Sequence, residues 1–183
     1  MKKIKKKNIF KNYFLKYSEL INSIDQIKIK KLIQNFILVK KRRKKILFFG
    51  NGAGAAIASH VSSDGAKSIG IKSLSFDNSA HITCFSNDYG FKNWIKKTIE
   101  NYAEKSDLVI LLSASGNSQN MIEAARFMNK NKINFYSLTG FKKENRLKKI
   151  SKNFFWINSK SYNHVEVLQS IILLSVIDAI KKR

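Results

Sequence analysis

Short apolar runs in this sequence alternate with segments of helical periodicity, and this pattern constrains the fold more than any other feature. The runs cover residues 46–49, 108–112, 133–138 and 154–157, and a weaker one covers residues 74–76. Each strong run has the length of a buried strand, and small or polar residues follow it. Because strands that alternate with helices pair in parallel, the pattern predicts a parallel sheet covered by helices on both faces.

The residues before the first strong run predict a pair of helices. Apolar side chains recur at helical spacing from Phe10 to Ile37, and Asn22-Ser23 supplies a break and a helix cap. We interpret the basic run at residues 40–45 as a solvated helix end, because cations stabilise the carboxyl end of a helix dipole. We therefore predict a single domain over residues 1–183, with N-terminal helices at 1–45 and an α/β core at 46–183.

The chain is strongly basic, with 35 Lys and Arg residues against 12 Asp and Glu residues and a formal net charge of +23. Such a charge attracts nucleic acid through counterion release. Most of the cations are lysines, however, whereas arginine is the side chain that most often reads guanine. Lysine, isoleucine, asparagine and phenylalanine share A/T-rich codons, so genome composition accounts for much of the excess. The sequence therefore argues against nucleic acid as the partner.

The sequence predicts neither export nor membrane insertion. The apolar segment from Val167 to Ile180 is interrupted by Gln169 and Asp178. It is also shorter than the roughly 20 residues that a membrane-spanning helix needs. The single cysteine, Cys84, excludes a disulfide framework. We expect a cytoplasmic, soluble protein with no membrane partner.

The loop after the second strong run has the composition of a phosphate-binding site. Residues 113–118 read Ser-Ala-Ser-Gly-Asn-Ser and lead into a predicted helix. They supply three hydroxyls, a glycine that allows close backbone approach, and the amino end of a helix dipole. The Gly-Lys-Ser/Thr sequence of nucleoside triphosphate sites is absent, which favours a single phosphate ester. An ordinary serine-rich turn with a helix cap is the alternative.

The loop after the first strong run is less informative. Residues 50–54 read Gly-Asn-Gly-Ala-Gly, which lacks the Gly-x-Gly-x-x-Gly spacing of dinucleotide sites. We therefore predict no nucleotide cofactor. A tight strand-to-helix turn explains this loop equally well.

Taken together and in order, the motifs resemble those of the sugar isomerase (SIS) domain. They are residues 50–54, His60, residues 86–91 (Ser-Asn-Asp-Tyr-Gly-Phe), residues 112–118 and residues 138–140 (Leu-Thr-Gly). The Asn-Asp-Tyr-Gly-Phe element points within that class to the phosphoheptose (sedoheptulose 7-phosphate) isomerases. The resemblance implies a three-layer sandwich with a five-stranded parallel sheet of the flavodoxin-like type. It also implies a phosphorylated sugar as partner and a homotetramer with sites between subunits.

The resemblance also implies the residues that bind the substrate. It implies that Ser113, Ser115 and Ser118 bind the phosphate. Ala114 occupies the position in this loop where the family has a threonine. The positions that line the sugar in the family are matched by Asn51, Gly52, Ala53, Asn87 and Asp88.

The catalytic residues of the family are matched less well. Its acid/base pair is a glutamate and a histidine, but the glutamate is Asp64 here and the histidine falls near Leu174. Several family members hold zinc, for which the matching residues here are His60, Asp64 and Glu166, the last in place of a glutamine. The resemblance thus implies Asp64 as one catalytic carboxylate and His60, Asp64 and Glu166 as a zinc site. We hypothesise that Glu166 takes the role of the missing histidine.

Each of these residues also has a purely structural interpretation. His60 and Asp64 share one helix face and suit either a metal or an exposed pair. Glu166 interrupts an apolar segment, so it lies either in a cleft or in the first turn of a helix, where the helix dipole stabilises acidic side chains.

Three functions follow from these observations. The first is a phosphosugar isomerase that uses Asp64 and Glu166. The second is a catalytically silent SIS module that binds a sugar phosphate or a protein partner. The third is a lysine-rich nucleic-acid binder, which only the charge supports.

Overall fold

A computed structural model describes residues 8–182, in which five strands form one parallel sheet flanked by helices. The strand order is β2-β1-β3-β4-β5, the flavodoxin-like order. The strands are β1 (Lys45–Gly50), β2 (Lys72–Ser75), β3 (Leu108–Ser113), β4 (Asn134–Thr139) and β5 (Asn153–Trp156). The predicted α/β fold with its five-stranded parallel sheet is confirmed. The predicted domain also includes residues 1–7 and Arg183, which lie outside the described residues.

Eight helices connect and cover these strands in the described part of the chain. They are α1 (Ile9–Asn22), α2 (Gln26–Lys41), α3 (Ala53–Ile69), α4 (Ser79–Tyr89), α5 (Trp94–Tyr102), α6 (Gln119–Lys130), α7 (Arg146–Ile150) and α8 (Tyr162–Lys181). The helical pair expected at the amino end is thus α1 and α2.

Alternating strand residues build two cores, one on each face of the sheet. On one face, Phe48 and Ile110 pack with residues of α2, α3 and α8. On the other face, Phe49 and Leu111 pack with residues of α5 and α6. Every residue of β3 is buried, because this central strand is covered on both faces. That double burial is why its sequence is continuously apolar and does not alternate.

Helix α8 is long and apolar enough, by length and composition, to cross a membrane. Its buried side chains, which include Val165, Leu168 and Ile172, belong to the core beneath the sheet. The apolar character of α8 is therefore explained by its packing against α3 and the sheet.

The N-terminal helices differ in how they pack. Helix α2 buries Leu32, Phe36 and Val39 against the sheet. Helix α1 buries only Leu20, and it leaves 76% of Phe10 and 66% of Phe14 exposed. A single chain thus covers the inner face of α2 but leaves Phe10 and Phe14 of α1 in solvent.

The basic run at residues 40–45 is not simply a helix end, because Lys45 opens β1 and joins a buried ion pair. Its ammonium lies 2.8 Å from Asp107, whose side chain is fully buried. Asp107 also accepts hydrogen bonds from the backbone N–H groups of Lys45 and Glu104. Partial burial opposes the charged form of Lys45, but the hydrogen bonds to Asp107 and Glu104 raise its pKa. This network ties the starts of β1 and β3 together.

We expect Asp107→Ala to lower the free energy of unfolding by about 3–5 kcal/mol, the usual cost of removing one partner from a buried charge pair. The change leaves the Lys45 ammonium with only Glu104, 2.8 Å away, and removes the acceptor of two backbone N–H groups. Urea denaturation measures the effect, and Asp178→Ala, at an exposed position of α8, is the matched control. A loss equal to that of the control would contradict the role assigned to Asp107.

Candidate functional site

A cleft of about 110 Å³ lies at the carboxyl ends of β1 and β3, beside the start of α8. We call it the serine cleft. Its lining residues are Asn51, Gly54, Leu112, Ser113, Ala114, Ser115, Ser118, Tyr162, Glu166 and Gln169. Ligands of open parallel sheets bind at this edge. None of the lining residues is a lysine or arginine, so the net charge of +23 is carried elsewhere on the molecule.

The three serines of the 113–118 loop converge in the cleft, as the sequence predicts. The hydroxyl oxygens of Ser113 and Ser118 lie 3.4 Å apart, and Ser113 is buried. Ser118 is the residue before α6, yet its hydroxyl does not cap the helix. The amino end of α6 and the hydroxyls therefore face the cleft as a set of neutral donors for an anion.

The backbone of this loop is held in place from behind by α7. The N–H of Leu147 donates to the carbonyl oxygen of Gly116 over 2.9 Å, and the N–H of Arg146 donates to Asn117 Oδ1 over 3.2 Å. Gly116 adopts a φ of +64°, and a methyl group there would overlap with the side chain of Asn145. Only glycine combines this backbone conformation with so close an approach.

Asn145 links the serine loop to the end of β4. It is 2% exposed, and its Nδ2 donates to Thr139 Oγ1 over 3.1 Å and to the carbonyl oxygen of Gly140 over 3.3 Å. Its Oδ1 accepts from the N–H of Lys148 and so caps α7. The role of Asn145 was not predicted, although an asparagine before a short helix is a signal for a cap.

A pair of side-chain amides joins the loop after β1 to the start of α6. Asn51 Nδ2 lies 3.1 Å from Asn120 Oδ1, and Asn120 Nδ2 lies 3.0 Å from Asn51 Oδ1. Asn120 is 1% exposed, and its role was not predicted. Of the predicted sugar-lining residues of the first loop, Asn51 lines the cleft, whereas Gly52 and Ala53 lie beside it at the start of α3.

Glu166 lines the same cleft as the serine loop. It lies in the second turn of α8, and Gln169 follows it three residues later on the same face. The close packing of α8 on the sheet edge explains the placement, because a side chain at Gly140 would overlap with Val165. The structure thus brings together one predicted carboxylate and the predicted phosphate loop.

Asp64, the other predicted catalytic carboxylate, does not line the serine cleft. It pairs with His60 on α3, with 3.4 Å between His60 Nε2 and Asp64 Oδ2, and both side chains are partly exposed. Asp64 lies eleven residues after the start of α3, which corresponds to about 16 Å along the helix axis. Asp64 and Glu166 therefore do not line the same cleft within a single chain, and their joint role in catalysis stays a prediction.

The predicted zinc site is not formed within one chain either. Within residues 8–182, no three His, Cys, Asp or Glu side chains lie close enough together to hold a metal ion. His60 and Asp64 are adjacent, but Glu166 belongs to the serine cleft. Because a catalytic zinc ion takes three protein ligands, the residues of one chain do not fit it.

Asn87 and Asp88 lie on α4 and are not among the residues that line the serine cleft. Both are exposed, and Asn87 Nδ2 donates to Asp88 Oδ1 over 3.0 Å. The inner side of α4 carries His81, whose Nε2 lies 2.9 Å from Thr98 Oγ1 and whose ring stacks on Phe85. Burial lowers the pKa of His81. The expected contact of Asn87 and Asp88 with the sugar is not provided by the cleft of the same chain.

Comparison with known proteins agrees with the fold and the motifs. A model of the SIS domain matches residues 10–140, and the serine loop lies inside this match, so the chain is a SIS domain protein. The phosphoheptose isomerase of Sulfurimonas denitrificans is 32% identical over 76% of this chain and 75% of that protein. The phosphoheptose isomerase of Fusobacterium nucleatum is 29% identical over 83% of this chain and 80% of that protein.

The solved structures agree with this assignment at the level of the fold. The phosphoheptose isomerase from Neisseria gonorrhoeae superposes with a TM-score of 0.84 at 19% identity, over 93% of this chain and 97% of that one. The chain belongs to the phosphoheptose isomerase family, and the resemblance drawn from its motifs is confirmed.

Proposed function

We propose that the protein interconverts the ketose and aldose forms of a phosphorylated heptose, with sedoheptulose 7-phosphate as the ketose. The observation that carries the proposal is the presence of Glu166 in the same cleft as the serine loop. An isomerase that acts on a sugar phosphate requires groups that bind the phosphate and a proton acceptor near the reacting carbon. The 32% identity to a phosphoheptose isomerase supports the choice of sugar.

The serine loop and the amino end of α6 hold the phosphate in this proposal. The hydroxyls of Ser113, Ser115 and Ser118 donate to the phosphate oxygens, and the helix dipole favours the negative charge. Because the side chains of the serine loop are neutral, hydrogen bonds from this loop bind the phosphate, and no lysine side chain lines the cleft.

Glu166 carries out the proton transfer at carbon. Its carboxylate removes the carbon-bound proton next to the carbonyl group, which leaves an enediolate. The same group returns the proton to the neighbouring carbon, while the hydroxyl proton moves to the former carbonyl oxygen. The product is the isomeric sugar phosphate, with no gain or loss of atoms or electrons.

Asp64 has a place in this chemistry only if assembly brings it to a cleft, since it lies outside the cleft of its own chain. We propose a homotetramer, the assembly that the family resemblance implies. Two surfaces support self-association. Helix α4 buries no residue within the chain, and the apolar side of α1 is exposed. Residues 46–91 contain only two of the 35 lysines and arginines, so α3 and α4 present little charge repulsion.

We expect light scattering at micromolar concentration to give a mass of several chains, because the exposed Phe10 and Phe14 need a partner surface. The double change Phe10→Glu and Phe14→Glu should then reduce the mass toward that of one chain, 21.0 kDa. The matched control places glutamate at Asn12 and Ser18, exposed neutral positions of the same helix, so the change in net charge is equal. A wild-type mass of 21.0 kDa would overturn the assembly.

A catalytically silent SIS module is the second candidate function, and one observation favours it. Leu174, which stands near the position of the family's catalytic histidine, packs against the core and cannot transfer a proton. In such a module the serine cleft binds a sugar phosphate without turning it over.

A coupled assay that detects the aldose product from sedoheptulose 7-phosphate, run with and without added zinc, separates the two functions. The proposal expects product formation that depends on the enzyme concentration. Binding of the sugar phosphate by calorimetry without product under either condition would establish the silent module instead.

A further inference from the structure

Gln169 is a buried polar residue in the serine cleft whose hydrogen bonds are only half satisfied. Its side chain is 1% exposed and lines the cleft together with Glu166. Its Nε2 donates to the carbonyl oxygen of Leu138 over 2.8 Å. Its Oε1 is buried and has no hydrogen-bond partner among residues 8–182.

The bond to Leu138 determines which end of the amide is free. A reversed amide would place Oε1 against the Leu138 carbonyl oxygen, and two acceptors repel each other. The acceptor is therefore the unpaired end. Buried acceptors are nearly always paired in folded proteins, so an orphaned one inside a cleft points to a ligand that supplies the donor.

The chemistry of the free end specifies what that donor is. An amide oxygen accepts a hydrogen bond from a hydroxyl group, but it repels the oxygens of a phosphate dianion. The serine loop, by contrast, offers donors that suit the phosphate. The cleft thus offers donors for the phosphate group and an acceptor for a hydroxyl group of a sugar phosphate.

We propose that Gln169 Oε1 accepts a hydrogen bond from a hydroxyl group of the bound sugar phosphate. This inference rests on the proposed function for the identity of the ligand. Because Gln169 follows Glu166 by one helical turn, the bond holds the hydroxylated carbons next to the carboxylate. Gln169 is then the residue that distinguishes a sugar phosphate from inorganic phosphate.

The change Gln169→Met tests the proposal, because methionine has a similar length and no amide. We expect the affinity for sedoheptulose 7-phosphate to fall by about tenfold, the effect of one lost hydrogen bond. The affinity for inorganic phosphate, which has no carbon-bound hydroxyl, should stay within about twofold. Calorimetry measures both ligands, and Gln34→Met, at an exposed position of α2, is the control.

Equal losses for the two ligands would mean that Gln169 only maintains the shape of the cleft, and this result would overturn the proposal. Unchanged affinity for the sugar phosphate would overturn it as well. A selective loss without any isomerase turnover in the wild-type protein would contradict the proposed function but support the role of Gln169. A wild-type protein that binds both ligands equally would contradict both.

The intact protein provides a test that does not depend on a folded variant. The side-chain amide resonance of Gln169 in the wild-type protein should shift when sedoheptulose 7-phosphate is added and remain in place with inorganic phosphate. A resonance that responds equally to both ligands would overturn the proposal.

Discussion

Glu166→Gln is expected to lower the turnover of sedoheptulose 7-phosphate by roughly 10²–10⁴-fold, the usual contribution of a general base. Glutamine has the size of glutamate and retains the contacts of α8, but it cannot accept the carbon-bound proton. The serine loop is unchanged, so the affinity for the sugar phosphate should be equal to that of the wild-type protein or slightly higher. The higher value would reflect the removal of a negative charge beside the bound dianion.

The coupled isomerase assay and calorimetry together measure this effect. Glu144→Gln is the matched control, because the Glu144 side chain is 64% exposed and lies outside the serine cleft. Turnover of Glu166→Gln within a few-fold of the control would assign the base to another residue. A parallel loss of affinity would indicate that Glu166 binds the substrate instead of reacting with it.

The double change Ser115→Ala and Ser118→Ala should weaken the binding of the sugar phosphate by about 100-fold or more. A hydrogen bond to a charged group contributes about 1.5–3 kcal/mol, and two are lost. Ser115 also accepts the N–H of Asn117 within the loop, so its removal loosens the turn as well. Inorganic phosphate should lose affinity to the same extent, since both serines act on the phosphate group.

Calorimetry of the two ligands checks this expectation. Ser63→Ala is the control, because the Ser63 hydroxyl is exposed and donates only to the Ser59 carbonyl oxygen of its own helix. Unchanged affinity in the double variant would remove the phosphate from the serine loop. A loss confined to the sugar phosphate would move the serines to the sugar.

The fold was predictable because buried parallel strands have a distinct sequence pattern. The run at residues 108–112 is apolar throughout and forms the fully buried β3. The edge strand was located less well, since the run at residues 74–76 corresponds to β2 at Lys72–Ser75. Half of β2 faces solvent, so its sequence lacks a continuous apolar signal.

The part of the site that a single loop forms was predictable from the sequence. The spacing of Ser113, Ser115 and Ser118 places them around one turn and a helix start, and the structure groups them as expected. The position of Asp64 was not predictable in the same way. A spacing of four residues from His60 defines a shared helix face, but it does not determine how far along the sheet edge that face lies.

Most of the site residues that were not predicted carry side-chain amides, and Tyr162 is a further unpredicted residue of the cleft. Asn120 and Gln169 form hydrogen bonds with residues that are distant in the chain, and Asn145 packs closely against Gly116 of the serine loop. Asparagine and glutamine occur at many exposed positions, so their type alone carries little information. Gln169 interrupts an apolar helix, and that interruption was the available signal.

Exchange of solvent deuterium into the sugar tests the central claim most directly. When the protein acts on sedoheptulose 7-phosphate in deuterium oxide, a carboxylate that removes a carbon-bound proton returns deuterium from solvent to the carbon. NMR should show loss of the proton signal next to the carbonyl group with the wild-type protein and no loss with Glu166→Gln. Exchange at equal rates in both proteins would contradict the role of Glu166. A wild-type protein that binds the sugar phosphate without exchange would contradict the isomerase itself.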